Sequence, residues 1–298
     1  MKYWIIPILL IVPLLSSGQQ DSLLNSLDAG QAPATDYTTA TFKSTMVISG
    51  QSVETLAEGV LDFRIEHRFG AVNQGFYNFY GLDQANTRFQ FDYGIKNWLQ
   101  IGIGRSSTPK SYGVNLKAKL LRQRSHARNM PITLDYNIYT NIDALLYSDP
   151  VRNNDFASRL TYVHQVIIGR KFNENFSLEL VPTLIHTNLV ALNTQKNDQY
   201  ALGIGFRQKI NKRVSINFEY YYLYPTVSVT NIFSNALSLG VDIETGGHVF
   251  QIHLTNTLAM NENDFVTDRL ESWLTGGIHL GFNISRVFTI YKPGYKGH

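Results

Sequence analysis

Leu61-Asp62-Phe63-Arg64-Ile65-Glu66-His67-Arg68-Phe69 reads as a single extended strand. Side chains alternate along such a backbone with a period of two, so Leu61, Phe63, Ile65 and Phe69 share one face while Asp62, Arg64, Glu66 and Arg68 share the other. A soluble sandwich turns the apolar face inward and the charged face to water. A membrane barrel inverts the assignment, with apolar side chains toward lipid and charge toward the lumen. One strand does not choose between the two, so the choice falls to the rest of the chain.

Eleven further stretches repeat the pattern, at 88–93, 98–104, 114–120, 132–138, 160–169, 176–180, 200–207, 214–220, 239–244, 250–255 and 278–288. The one at 160–169 is ambiguous, because Val163 and Ile167 fall on the face that also carries Thr161 and Gln165. A tilted strand crosses the hydrocarbon in about 9–11 residues, the scale of these segments. Tight, turn-rich joints at 94–97, 173–175, 211–213 and 246–248 alternate with longer polar links at 71–85, 141–157, 187–198, 224–235 and 259–273. Outer-membrane barrels keep that rhythm, with short periplasmic turns and long extracellular loops. Two links break it: 122–130 is long for an inner turn and 107–111 short for an outer loop.

The ends and the composition point the same way. Met1-Lys2, an apolar run from Ile5 to Leu15, and Ser16-Ser17-Gly18 form a secretory signal peptide, cut after Gly18. The run is shorter than the roughly 18 residues of a membrane anchor. There is no cysteine, which removes a lipoprotein anchor, disulfides, a thiolate metal site and a thiol nucleophile together. No later stretch is long and apolar enough for a spanning helix, so any spanning form is a closed barrel. The formal net charge of +3 is too small and scattered for nucleic acid. The 17 Tyr and 17 Phe suit aromatic girdles at two membrane interfaces.

Several stretches taken together carry a family resemblance: Thr41-Phe42-Lys43-Ser44-Thr45, Glu66-His67-Arg68-Phe69-Gly70, Gly81-Leu82-Asp83-Gln84-Ala85, Ile103-Gly104-Arg105-Ser106-Ser107, Tyr162-Val163-His164-Gln165, and Gly281 through Phe288. From about Thr38 to Phe288 the chain resembles an uncharacterised family of exported bacterial outer-membrane β-barrels. The resemblance implies fold and location and carries over no activity.

Placing the polar faces in the lumen makes Arg64, Arg68, Arg88, Lys117, Lys119, Asp92, Glu219, Asp242 and Glu244 candidate lumen charges. Strands two to four lean basic, strands nine and ten acidic. Two readings stay open. The charges pair across neighbouring strands as structural bridges, each worth roughly 0.2–1 kcal/mol, or they set up a transverse field that orients passing solutes. His253 and His279 share the lumen phase of consecutive strands, but alignment at the rim separates them by about 15 Å, too far for a shared metal. Ser215, Ser238 and Ser285 have no histidine at matched depth, so no lipid-hydrolase pair is expected. No catalytic, cofactor or metal residue is assigned.

The expected architecture is all-β: a single antiparallel up-and-down transmembrane barrel of about 12 strands at 59–290. It follows the signal peptide (1–18) and a polar, mostly irregular segment (19–58), and a tail (291–298) closes the chain. Within the segment, 41–56 plugs the mouth, folds on the periplasmic rim or is a tether. The expected location is the outer membrane of a Gram-negative bacterium, with the bilayer, lipopolysaccharide, the barrel-assembly machinery and a small polar solute as partners. The leading functional expectation is a passive or gated solute channel; the alternative is a non-conducting scaffold or binding protein acting through its outer loops or periplasmic segment.

Overall fold

All twelve alternating stretches are strands, and they close on themselves. The computed structural model describes residues 35–126, 129–146, 155–190, 195–225, 234–267 and 271–293. The sequence-predicted signal peptide, the segment up to residue 34 and the end of the tail lie outside the described residues. The barrel strands in chain order are β1 (Val60–Ala71), β2 (Ala85–Lys96), β3 (Leu99–Ser107), β4 (Lys110–Leu121), β5 (Thr133–Asp143), β6 (Leu160–Lys171), β7 (Phe176–Thr187), β8 (Asp198–Lys209), β9 (Val214–Leu223), β10 (Ala236–Glu244), β11 (His248–Thr255) and β12 (His279–Thr289). Each pairs antiparallel with its chain neighbours, and β12 returns to β1 through pairs such as Phe282↔His67 and Thr289↔Val60. Closure satisfies the ladder without leaving an edge, which lipid requires of any sheet that spans it. No helix among the described residues is long and apolar enough to cross a membrane.

The period-two pattern decides which side chains go where. Asp62, Arg64, Glu66 and Arg68 are buried inside, while Phe89, Phe91, Ile101, Ile103, Leu116 and Ile252 are exposed on the outer wall. Phe63 and Phe91 stack there at a centroid distance of 4.8 Å. Strand β6 resolves its ambiguity in favour of the lumen. Val163 and Ile167 are buried on the inner side with Thr161 and Gln165, where they join Tyr139, Val181, Ile185, Ala201, Tyr221 and Leu223 in one apolar cluster.

We call the rim where β1 begins proximal and the opposite one distal. The long proximal link between β4 and β5 has a structural cause. Its Arg124–His126 forms a short strand paired with Thr35–Tyr37, through Tyr37↔Arg124 and Thr35↔His126. Arg122 and Arg124 both lie over the Tyr37 ring, at 4.9 and 5.9 Å from its centre. At the distal rim, β3 and β4 are joined through Thr108-Pro109 alone.

Candidate functional site

The lumen is occupied from both rims. Residues 41–56 enter proximally and double back in a narrow hairpin: Val47 N–H donates to the Gly50 carbonyl at 2.9 Å and Ser52 N–H to the Thr45 carbonyl at 2.9 Å. Phe42, Val47, Ile48 and Val53 are buried in the same apolar cluster as the β5–β10 wall. The three-residue apolar run Met46-Val47-Ile48 beside a turn has no periodicity that declares its partner. That is why its placement as a plug was not decided from composition.

At the tip, three successive backbone N–H groups converge on one carboxylate. Ile48, Ser49 and Gly50 donate to Glu219 Oε2 at 2.9, 3.0 and 3.0 Å. Such a nest of amides is an anion site by construction. Around it, Val53 N–H donates to Glu179 Oε2 at 3.2 Å, Leu56 N–H to Gln100 Oε1 at 3.1 Å, and Asn283 Nδ2 to the Ile48 carbonyl at 2.9 Å. Gln251 Nε2 donates to the Val47 carbonyl. The plug is thus gripped by β3, β7, β9, β11 and β12.

The basic side chains grip it from the other side. Lys117 Nζ donates to the Thr45 and Ser52 carbonyls at 3.1 and 3.2 Å and to Gln51 Oε1 at 2.9 Å. Arg68 donates to Ser49 Oγ at 3.3 Å and to Asn283 Oδ1 at 3.1 Å. Arg64 Nη2 donates to Thr45 Oγ1 at 2.6 Å while lying 2.9 Å from Asp92 Oδ2 and 3.2 Å from Asp62 Oδ2. Asp242 accepts from Gln251 Nε2 at 2.7 Å, Glu244 pairs with Lys43 at the proximal rim, and Lys119 is half-buried where the β4–β5 register shifts.

Structural pairing across strands is the minor pattern. Among the described residues, the fully buried ion pairs are all made by Arg64; Arg68, Arg88 and Lys117 make none. Their hydrogen bonds go mainly to neutral acceptors on the plug and on a distal loop.

That loop, between β11 and β12, belongs to a link whose sequence reads as extracellular. Residues 256–267 turn inward, with Met260, Phe265 and Val266 buried. Arg88 Nη1 donates to the Met260 carbonyl at 2.9 Å and to Asn261 Oδ1 at 3.1 Å. Asn261 Nδ2 donates to Ser111 Oγ at 2.7 Å. Loop and plug meet where Gln51 Nε2 donates to Glu262 Oε1 at 2.7 Å. The signal was present in Ala259-Met260 and Phe265-Val266, apolar pairs in an otherwise polar link.

The 15 Å offset expected between His253 and His279 is not found. His279 pairs with Thr255, and His253 with Gly281, so the histidines stand two residues apart, about 7 Å along the strands. The reason is that β12 overruns β11: His248 faces Arg286, and Val287, Phe288 and Thr289 pair with β1 alone. His279 Nδ1 lies 2.9 Å from the Phe69 carbonyl oxygen. No group of three metal-ligating side chains occurs among the described residues.

Residues 42–288 match a family described as a membrane bound beta barrel domain. No curated protein matches the chain. Among solved structures, the KdgM porin in complex with disordered oligogalacturonate is similar at 11% identity over 77% of this chain and 99% of that one, with a TM-score of 0.46. The NanC porin is similar at 10% identity over 78% and 100%, with a TM-score of 0.47. An outer membrane channel from Pseudomonas putida F1 is similar at 14% identity over 79% and 98%, with a TM-score of 0.45.

Proposed function

Since the chain belongs to this family of membrane-bound β-barrels, we propose that it is a gated outer-membrane channel, closed at rest, that passes a small polar solute when residues 41–56 are displaced. One observation carries the reading. Three buried charges of the lumen wall, Lys117, Glu179 and Glu219, are satisfied by the inserted segment and not by one another. A buried charge left unpaired costs several kcal/mol. A barrel filled for good would pair its charges or replace them with apolar side chains. Here Lys117 and Glu219 instead hold the two sides of the plug. When the plug leaves, they face each other across water, and the field between them orients a polar solute.

The strand ladder does not depend on the plug, so the wall survives its departure. On this reading the mature protein sits in the outer membrane of a Gram-negative bacterium, among lipopolysaccharide, after insertion by the barrel-assembly machinery. It is not an enzyme: its lumen supplies hydrogen-bond donors and acceptors to a passing solute.

A disulfide tether tests the gate. A Cβ at Gly169 would lie 3.2 Å from Val53 Cβ, near the roughly 3.5–4.5 Å of a disulfide, and the chain has no competing cysteine. Val53→Cys with Gly169→Cys should give no current in a planar bilayer when oxidised and discrete conductance steps after reduction. Silence in both states would make the protein a non-conducting scaffold.

A further inference from the structure

The inserted distal loop fills a slot of unusual composition. One side is the apolar wall of Tyr139, Val163, Val181, Ile185 and Tyr221, against which Phe265 and Val266 pack. Phe265 meets Tyr221 edge to face, with ring centres 5.0 Å apart. The other side is Arg88, a buried guanidinium 5.6 Å from the centre of the Tyr139 ring. Its Nη1 is satisfied by the two neutral oxygens of Met260 and Asn261, its Nη2 by Gln90 Oε1 at 2.9 Å, and its Nε has no partner. The loop therefore presents to the slot an aromatic ring, aliphatic side chains and, at the guanidinium, a pair of oxygens.

We propose that residues 256–267 are a built-in occupant of a ligand site, and that the site takes a small amphipathic anion: a carboxylate carried on an aryl or alkyl body. The carboxylate replaces the Met260 and Asn261 oxygens on Arg88, and the apolar body replaces the Phe265 ring against Tyr221. At the guanidinium the exchange replaces neutral acceptors with an ionised one, a hydrogen bond roughly twice as strong, and removes Glu262 with the loop, while Glu66, opposite Arg88 in register, stays. It also reaches the plug. Glu262 leaves with the loop, and Gln51 loses the hydrogen bond that joins the two inserted segments. As the trigger of passage, the site rests on the channel reading above; as a binding site, it stands without it.

The test measures binding, not current. Full-length protein is titrated calorimetrically with 3-phenylpropionate, with 2-phenylethylammonium (a similar body, opposite charge) and with propionate (the head without the ring). 3-Phenylpropionate should bind at least about tenfold more tightly than either control, the scale of a charge-assisted hydrogen bond. Arg88→Gln should bring it level with 2-phenylethylammonium. Phe265→Ala removes the competing ring and should tighten binding by about threefold or more, because an internal competitor lowers apparent affinity by the fraction of time it occupies the site. A ring that merely stabilised the fold would give weaker binding on truncation. Equal binding of the three probes, or weaker binding in Phe265→Ala, overturns the site. The oxidised Val53→Cys/Gly169→Cys protein should still bind 3-phenylpropionate, more weakly by the factor that couples the slot to the plug, so a silent barrel and an empty slot are separate results.

Discussion

Glu219 concentrates the closed state in one carboxylate. It accepts from three consecutive plug amides, and hydrogen bonds to an ionised group contribute about 1.5–3 kcal/mol each when made in a buried setting. Glu219→Gln keeps the shape and removes the charge, so it should raise the open probability in bilayer recordings by about tenfold. An unchanged open probability would mean that the tip is held by packing alone. Glu262 adds a pH dependence. It belongs to the inserted loop and not to a spanning strand, and burial pushes its carboxyl up to about 7, with Gln51 and Arg88 opposing the rise. Its closed-state pKa is raised above the ordinary 4.5, so the closed form binds the extra proton. Its preference for the closed form is fullest below the ordinary value and is lost as pH rises through about 7. Acidification from about pH 8 to pH 5 should therefore lower the open probability, and Glu262→Gln should flatten the response.

At the level of elements, the strands were legible because lipid and lumen impose opposite chemistry on alternate residues. That rule weakens where the lumen is itself apolar. β6 carries Val163 and Ile167 inward because Val53 and the distal loop pack in the same apolar cluster, information that lies about a hundred residues away in the chain. The overrun of β12 past β11 was equally invisible, since nothing local records where a neighbouring strand stops. The inward turn of the distal loop left a trace in two apolar pairs, but a loop tip and a lumen insert can share that composition. The nine candidate charges were placed by phase; the plug carbonyls that meet Lys117 and the plug amides that meet Glu219 were not legible, because backbone groups have no sequence signature. Facing remains testable strand by strand. Phe63→Arg or Phe218→Arg should cost roughly 2–4 kcal/mol in unfolding from lipid if those positions lie near the midplane. Asn217→Arg should cost less, because the lumen offers it the Asp242 carboxylate. Gln90→Arg is not a mild control, since the Gln90 amide joins Arg88, Asp92 and Asn115. Equal costs at Phe63 and Asn217 would mean that the faces are reversed.

For the whole molecule, the rims set the orientation. With the N-terminal side periplasmic, an epitope inserted at Gly75, where an added side chain would meet open space, should be labelled on intact cells, and one at Lys212 should not. Labelling at Lys212 alone would invert the protein in its membrane. The ribbon between Thr35–Tyr37 and Arg124–His126 then has a further consequence. The plug is fastened at both ends: Tyr37 is held by the ribbon, and Val60 is already in the wall. It is a strap and not a ball on a chain. Opening bows it aside over a span of about twenty residues, and loop-closure entropy grows only slowly with such length. Its effective concentration at the lumen stays in the millimolar range even while displaced. Each opening should therefore be brief and self-terminating, with a dwell time set by the strap's return. Cutting the chain between the ribbon and β1 would turn that flicker into a lasting conductance.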